Sequence, residues 1–145
     1  ATNLEWIIEN YKTDAPNLAD SLWHQPLDGQ IKQWVSWLTL NERIHHPELF
    51  SKGDYIPLKV SGKFSQHVIA FSRKFENEYL VIVLPLNTAS LPVDVDWEDT
   101  AVEMPGINVQ LENRLTKQKF EVAKALNVKD LFAVVPFGVL RNKII

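Results

Sequence analysis

Asp94, Asp96, Glu98 and Asp99 form the densest acidic cluster in the chain. Carboxylates at alternate positions begin as a calcium loop does, because their oxygens can converge on a hard cation. The pattern then breaks. Asp99 stands where the tight turn requires Gly, and Pro105 where the bidentate Glu belongs. We read the stretch as a solvated loop. His45 and His46 are adjacent, so on a helix they point about 100° apart and cannot chelate one ion as an i, i+4 pair could. At a helix end they complement the dipole instead. His24 and His67 are isolated. Ser61-Gly62-Lys63 ends as a phosphate loop does, yet Pro57 replaces the first Gly and Phe64 the magnesium-binding hydroxyl. That stretch reads as a hairpin turn. There is no Gly-x-Ser-x-Gly elbow for a nucleophilic serine, and we expect neither a metal nor a cofactor.

Glycoside chemistry needs two carboxylates held across a sugar. Glu42, Glu48 and Asp54 gather near the end of a helical stretch, but their spacing does not resemble a positioned acid and nucleophile. The five tryptophans offer rings that could stack on sugars. Trp34 and Trp37 lie on a helix with two apolar sides and read as core. Trp97 falls in the acidic loop, where an exposed ring would make a platform. The residues by themselves describe a helix-plus-β domain with no self-contained catalytic site.

The elements that would position these groups follow two periods. Asn3 can cap a helix carrying Leu4, Ile7, Ile8 and Tyr11, and Asp14 a second, short one with Pro16 in its first turn and Leu18 and Leu22 on one face. Asp28 caps the strongest helix, roughly Gly29 to His45, which Pro47 stops. Ile31, Trp34, Val35 and Leu38 form one stripe on it; Trp37, Leu40 and Ile44 lie nearly opposite. A helix apolar on two sides is sandwiched or has lost a partner.

After Gly53 the period drops to two. Tyr55–Val60, His67–Phe75, Tyr79–Leu84, Thr100–Met104, Val109–Leu115 and Phe137–Arg141 read as strands, with a helical turn near Val128–Phe132. Tyr79–Leu84 is apolar on both faces and belongs at the centre of a sheet. Short strands without long intervening helices mean an antiparallel sandwich or barrel. The expected class is therefore α+β, with N-terminal helices over residues 1–52 and an antiparallel β-sandwich over 53–145.

Composition narrows the function. The chain has 145 residues, 46% of them hydrophobic and 23% charged, which is enough for a core without staples. A net charge of -3 and a pI near 5.8 argue against a general nucleic-acid partner. No apolar run is long enough for a bilayer, so no membrane partner is expected. The absence of cysteine excludes disulfides and thiol chemistry and fits a reducing compartment. The first residue is Ala1 rather than Met, and we expect the chain to be cut from a longer one.

Several short stretches go further. Asp28-Gly29-Gln30-Ile31-Lys32 opens the two-sided helix. His46-Pro47-Glu48-Leu49-Phe50 leads to Gly53-Asp54-Tyr55-Ile56-Pro57-Leu58. His67 to Arg73, Trp97-Glu98-Asp99-Thr100, and the ending Leu131-Phe132-Ala133 with Pro136-Phe137-Gly138-Val139-Leu140 follow. In this order, from about Leu22 to Leu140, they resemble the C-terminal region of the malto-oligosyltrehalose synthase family, within the α-amylase enzymes. The chain departs from the family pattern at Gln30, where Arg is usual, at Leu111, where Trp is usual, and at Lys117, where Gly is usual.

The resemblance implies a division of labour. The family joins a catalytic (β/α)8 barrel to a β-sandwich, domain C. It converts the reducing-end α-1,4 linkage of a maltooligosaccharide to an α,α-1,1 linkage by intramolecular transglucosylation. Its Asp nucleophile, Glu acid/base and second Asp lie on earlier barrel strands, and no residue of this chain maps onto them. The two-sided helix would be the last helix of the barrel. Loops entering barrel helices lie on the catalytic face, so Asp28 and Lys32 become candidate substrate-side residues, with Lys32 contacting sugar hydroxyls or a carboxylate. The plainer account of the pair is a cap and a solvated lysine. Implied partners are a maltooligosaccharide and the barrel in cis; the missing cysteines and mild negative charge point to a cytoplasmic location. An independent carbohydrate-binding module, or domain C of another α-amylase relative, is the alternative.

Overall fold

The computed structural model describes residues 3–23, 30–92, 94–104 and 108–142. The helices come first. α1 (Asn3–Trp23) is two helical pieces meeting at Asp14, whose φ of -154° and ψ of 78° leave helical space. The Asn17 N–H donates to Asp14 Oδ1 at 3.3 Å, so Asp14 caps the second piece and Pro16 sits where a missing N–H costs nothing. α2 (Gln30–His45) runs back along α1, and the short α3 (Pro47–Lys52) follows. Asp28, the expected cap of α2, lies outside the described residues.

Among the described residues nine strands follow: β1 (Asp54–Leu58), β2 (Val60–Ser61), β3 (Val68–Phe75), β4 (Glu78–Pro85), β5 (Ala101–Glu103), β6 (Gln110–Asn113), β7 (Lys119–Glu121), β8 (Ala125–Asn127) and β9 (Gly138–Asn142). The helical turn α4 (Val128–Leu131) precedes β9. All pairings are antiparallel. One sheet has six strands in the order β1-β3-β4-β9-β6-β7, and the other three in the order β2-β5-β8. The class is α+β, helices followed by an antiparallel sandwich.

Among the described residues two cores hold the layers. Val68, Ala70, Val81, Val83, Leu111, Phe120 and Leu140 of the larger sheet meet Val102 and Leu126 of the smaller one, closed by Val128 and Leu131 of α4. On the other side, Ile7, Tyr11, Leu18 and Leu22 of α1 and Trp34 and Leu38 of α2 pack around Leu115 and Val135. β4 sits between β3 and β9, which is why its sequence is apolar on both faces.

Three expectations change. Tyr55–Val60 is not one strand: the chain breaks at Lys59, and β1 and β2 join different sheets. Pro57 lacks an N–H and confines β1 to the sheet edge. Ser61-Gly62-Lys63 is a turn but not a hairpin, because β2 pairs with β5 rather than with the strand that follows it. Gly62 has φ +98°, and a Cβ there would meet the Asp99 carbonyl oxygen at 2.6 Å. Only glycine allows both the left-handed backbone and that approach. β7 and β8 also arise where no strand was expected.

Candidate functional site

Where helices meet sheet, a charged seam is built around Glu42, in the last turn of α2. Its side chain is 7% exposed. Arg114 Nε donates to Glu42 Oε1 at 2.9 Å. Arg141 Nε lies 2.6 Å from Glu42 Oε2 as a close contact of opposite charges rather than an aligned hydrogen bond. Arg114 reaches its second carboxylate, Glu112, through an Nη. The sheet arranges this: Glu112 and Arg141 are cross-strand partners on β6 and β9, and Arg114 follows β6 in a turn anchored by its N–H on the Val139 carbonyl at 2.7 Å.

Tyr11 completes the seam from α1, its hydroxyl donating to the Arg114 carbonyl at 2.6 Å. Burial raises the Tyr11 phenol above its ordinary value; Arg114 opposes that, and Glu112 and Glu42 add to it. Burial works against the Arg114 charge, but Tyr11, Glu42 and Glu112 more than restore it, so its pKa is raised. Lys117 Nζ stands 4.5 Å from the centroid of the Tyr11 ring, and Trp37 meets that ring edge-on at 5.5 Å. A cleft of 400 Å³ opens here, with Tyr11, Trp37, Asn41, Glu42, His45 and Arg114 on its walls.

The groups singled out in the sequence take other places. Trp97 is 6% exposed, wedged edge-on between Phe64 and Phe132 in the inter-sheet core, so it is no sugar platform. The acidic loop is bound by its own neighbours. Asp96 Oδ1 accepts the Glu98 N–H at 2.9 Å, and Asp99 Oδ1 the Lys63 N–H at 3.0 Å. Lys63 pairs with Glu98 and Lys129 with Asp96. The Glu98 N–H, with Lys129 behind it, holds the Asp96 carboxyl below its ordinary range.

His45 and His46 diverge. One Nδ1 meets the Asn41 carbonyl at 2.8 Å, the other Glu78 Oε1 at 3.1 Å. Among the described residues no group of three His, Cys, Asp or Glu is placed to hold a metal. Lys32 lies in the first turn of α2. Sequence reasoning weighed Glu42 only as a glycosidase carboxylate and missed its seam with Arg114 and Arg141, since the members come from three separate segments. An acid continuing the Trp34 and Leu38 stripe at i+4 was the one available signal.

No family model matches the chain, and no curated protein matches it. Among solved structures, it is similar to a mutant of maltooligosyltrehalose synthase from Arthrobacter ramosus, with a TM-score of 0.65 and 26% identity. The family resemblance holds in three dimensions. The likeness to maltooligosyltrehalose synthase covers 86% of this chain and only 16% of that one, so it is a likeness between this chain and one region of a much longer enzyme. It supports a related domain, helices and sandwich together. Among the described residues no helix is long and apolar enough to cross a membrane.

Proposed function

We propose that this chain serves as the C-terminal region of a maltooligosyltrehalose synthase. In that role residues 1–52 would end the catalytic barrel, and 53–145 would be the domain C that braces it. The enzyme as a whole would convert the reducing-end α-1,4 linkage of a maltooligosaccharide to α,α-1,1 by intramolecular transglucosylation, in the cytoplasm. The chain itself would contribute no catalytic group. The observation that carries the reading is the agreement between ordered sequence motifs and a fold match at 26% identity. The second stripe of α2 supports it: Leu40 and Ile44 are 56% and 64% exposed, as a helix face prepared for another body would be. Lys32 belongs to the proposal as a substrate-side residue.

The test is the whole reading frame that carries this chain. Supplied with maltopentaose, it should consume reducing ends without releasing short sugars, whereas this chain alone should leave them intact. Net hydrolysis by the whole protein, or loss of reducing ends with this chain alone, overturns the reading. Unchanged turnover and KM in the Lys32→Ala enzyme would remove Lys32 from it.

A further inference from the structure

The cleft beside Glu42 has the make-up of a ligand site rather than a packing fault. Its 400 Å³ falls within the range of small-molecule clefts, about 300–1,000 Å³. Its arginines are already answered by carboxylates, Arg114 by Glu42 and Glu112 and Arg141 by Glu42, so neither is left as an unpaired cation for an anion. What remains are planar polar groups. Asn41 donates its amide N–H to the Trp37 carbonyl at 2.9 Å, which keeps its side-chain oxygen as an acceptor. His45 engages Nδ1 with the Asn41 carbonyl, so Nε2 of the neutral ring is an acceptor. Arg114 engages Nε and one Nη with carboxylates, and a guanidinium carries five donors. Donors and acceptors on rigid planar groups match neighbouring hydroxyls. Lys117 already covers the Tyr11 ring, so half-buried Trp37 is the aromatic wall left for a C–H face.

We propose that this cleft binds a neutral pyranose sugar, one unit of a maltooligosaccharide. The neutral sugar rests on the paired arginines, the planar polar groups and the Trp37 face; that it is a maltooligosaccharide rests on the proposed function. Because Glu42 is fixed by two arginines before any ligand arrives, little ordering is required on binding. The test titrates the intact chain with maltotriose, and in parallel with inorganic phosphate, following amide chemical shifts. Maltotriose should give saturable shifts confined to the walls of the cleft, and phosphate none. Asn41→Ala with His45→Ala should weaken binding at least about tenfold at an unchanged melting temperature, and His45→Ala alone by a smaller factor. No saturable maltotriose response, a response elsewhere on the surface, or preference for phosphate overturns the proposal. Maltotriose binding by a chain whose whole parent forms no α,α-1,1 linkage would keep the cleft and remove the enzyme assignment. The reverse result would do the opposite.

Discussion

Replacing Glu42 with Gln keeps the shape of the side chain and removes the charge that two guanidinium groups share. The magnitude can be worked from the seam. Breaking a buried ion pair by removing one partner costs about 3–5 kcal/mol. Here Arg114 retains Glu112, and the arginine side chains are 26% and 17% exposed, so water offsets part of the loss. We take about 2–4 kcal/mol. For a chain of this size each kcal/mol lowers Tm by about 2–4 °C, which gives a fall of about 4–16 °C. Urea unfolding of the intact chain, followed by Trp fluorescence and circular dichroism, reads both midpoint and slope. The midpoint should fall at an unchanged m-value. In a double-mutant cycle with Arg141→Gln the two losses should not add, because both act on one contact. A Glu42→Gln chain within about 0.5 kcal/mol of the parent would refute the claim that this carboxylate fastens the helices to the sheet.

Trp97→Ala should destabilise the chain by about 3–5 kcal/mol, read as a lower urea midpoint; a near-neutral result would mean the ring is not in the inter-sheet core. Tyr11→Phe should cost about 0.5–1.5 kcal/mol at neutral pH through the lost bond to the Arg114 carbonyl. It should also flatten the alkaline limb of Tm against pH. The raised phenol value means the unfolded chain ionises first, so stability present below about pH 10 is lost as pH climbs toward the folded value. An equally steep alkaline limb in the Phe variant would contradict that environment.

The parts of this fold legible in the sequence were those with a periodic apolar signal. α2 was readable from two stripes, and the uncovered Leu40 and Ile44 are the second of them. Asp14 was readable as a cap because an acid followed by Pro16 is a local device, independent of distant contacts. β4 was readable from apolar residues on both faces. β7 and β8 were not, since each is three residues long with one buried side chain, Phe120 or Leu126, too short for alternation to register. The break at Lys59 was hidden for another reason. Alternation continues from Ile56 through Leu58 to Val60, while the partner strands change from β3 to β5. The candidate site was the least visible, because hydrogen bonds such as Arg114 to Glu42 span 72 residues and leave no local pattern. The family departure at Lys117 has a structural counterpart: its φ of +62° is the backbone that glycine adopts freely.

The pairing of Glu112 with Arg141 across β6 and β9 gives the seam a role in proofreading. Sliding one strand past the other by a single residue turns every side chain to the opposite face. Arg141 would then leave Glu42, and that buried carboxylate on α2 would face the sheet with one partner fewer. A helical pair rich in local contacts forms quickly, and a sheet joined across distant segments forms slowly. The helical layer carries a charge that only the correctly registered sheet answers in full.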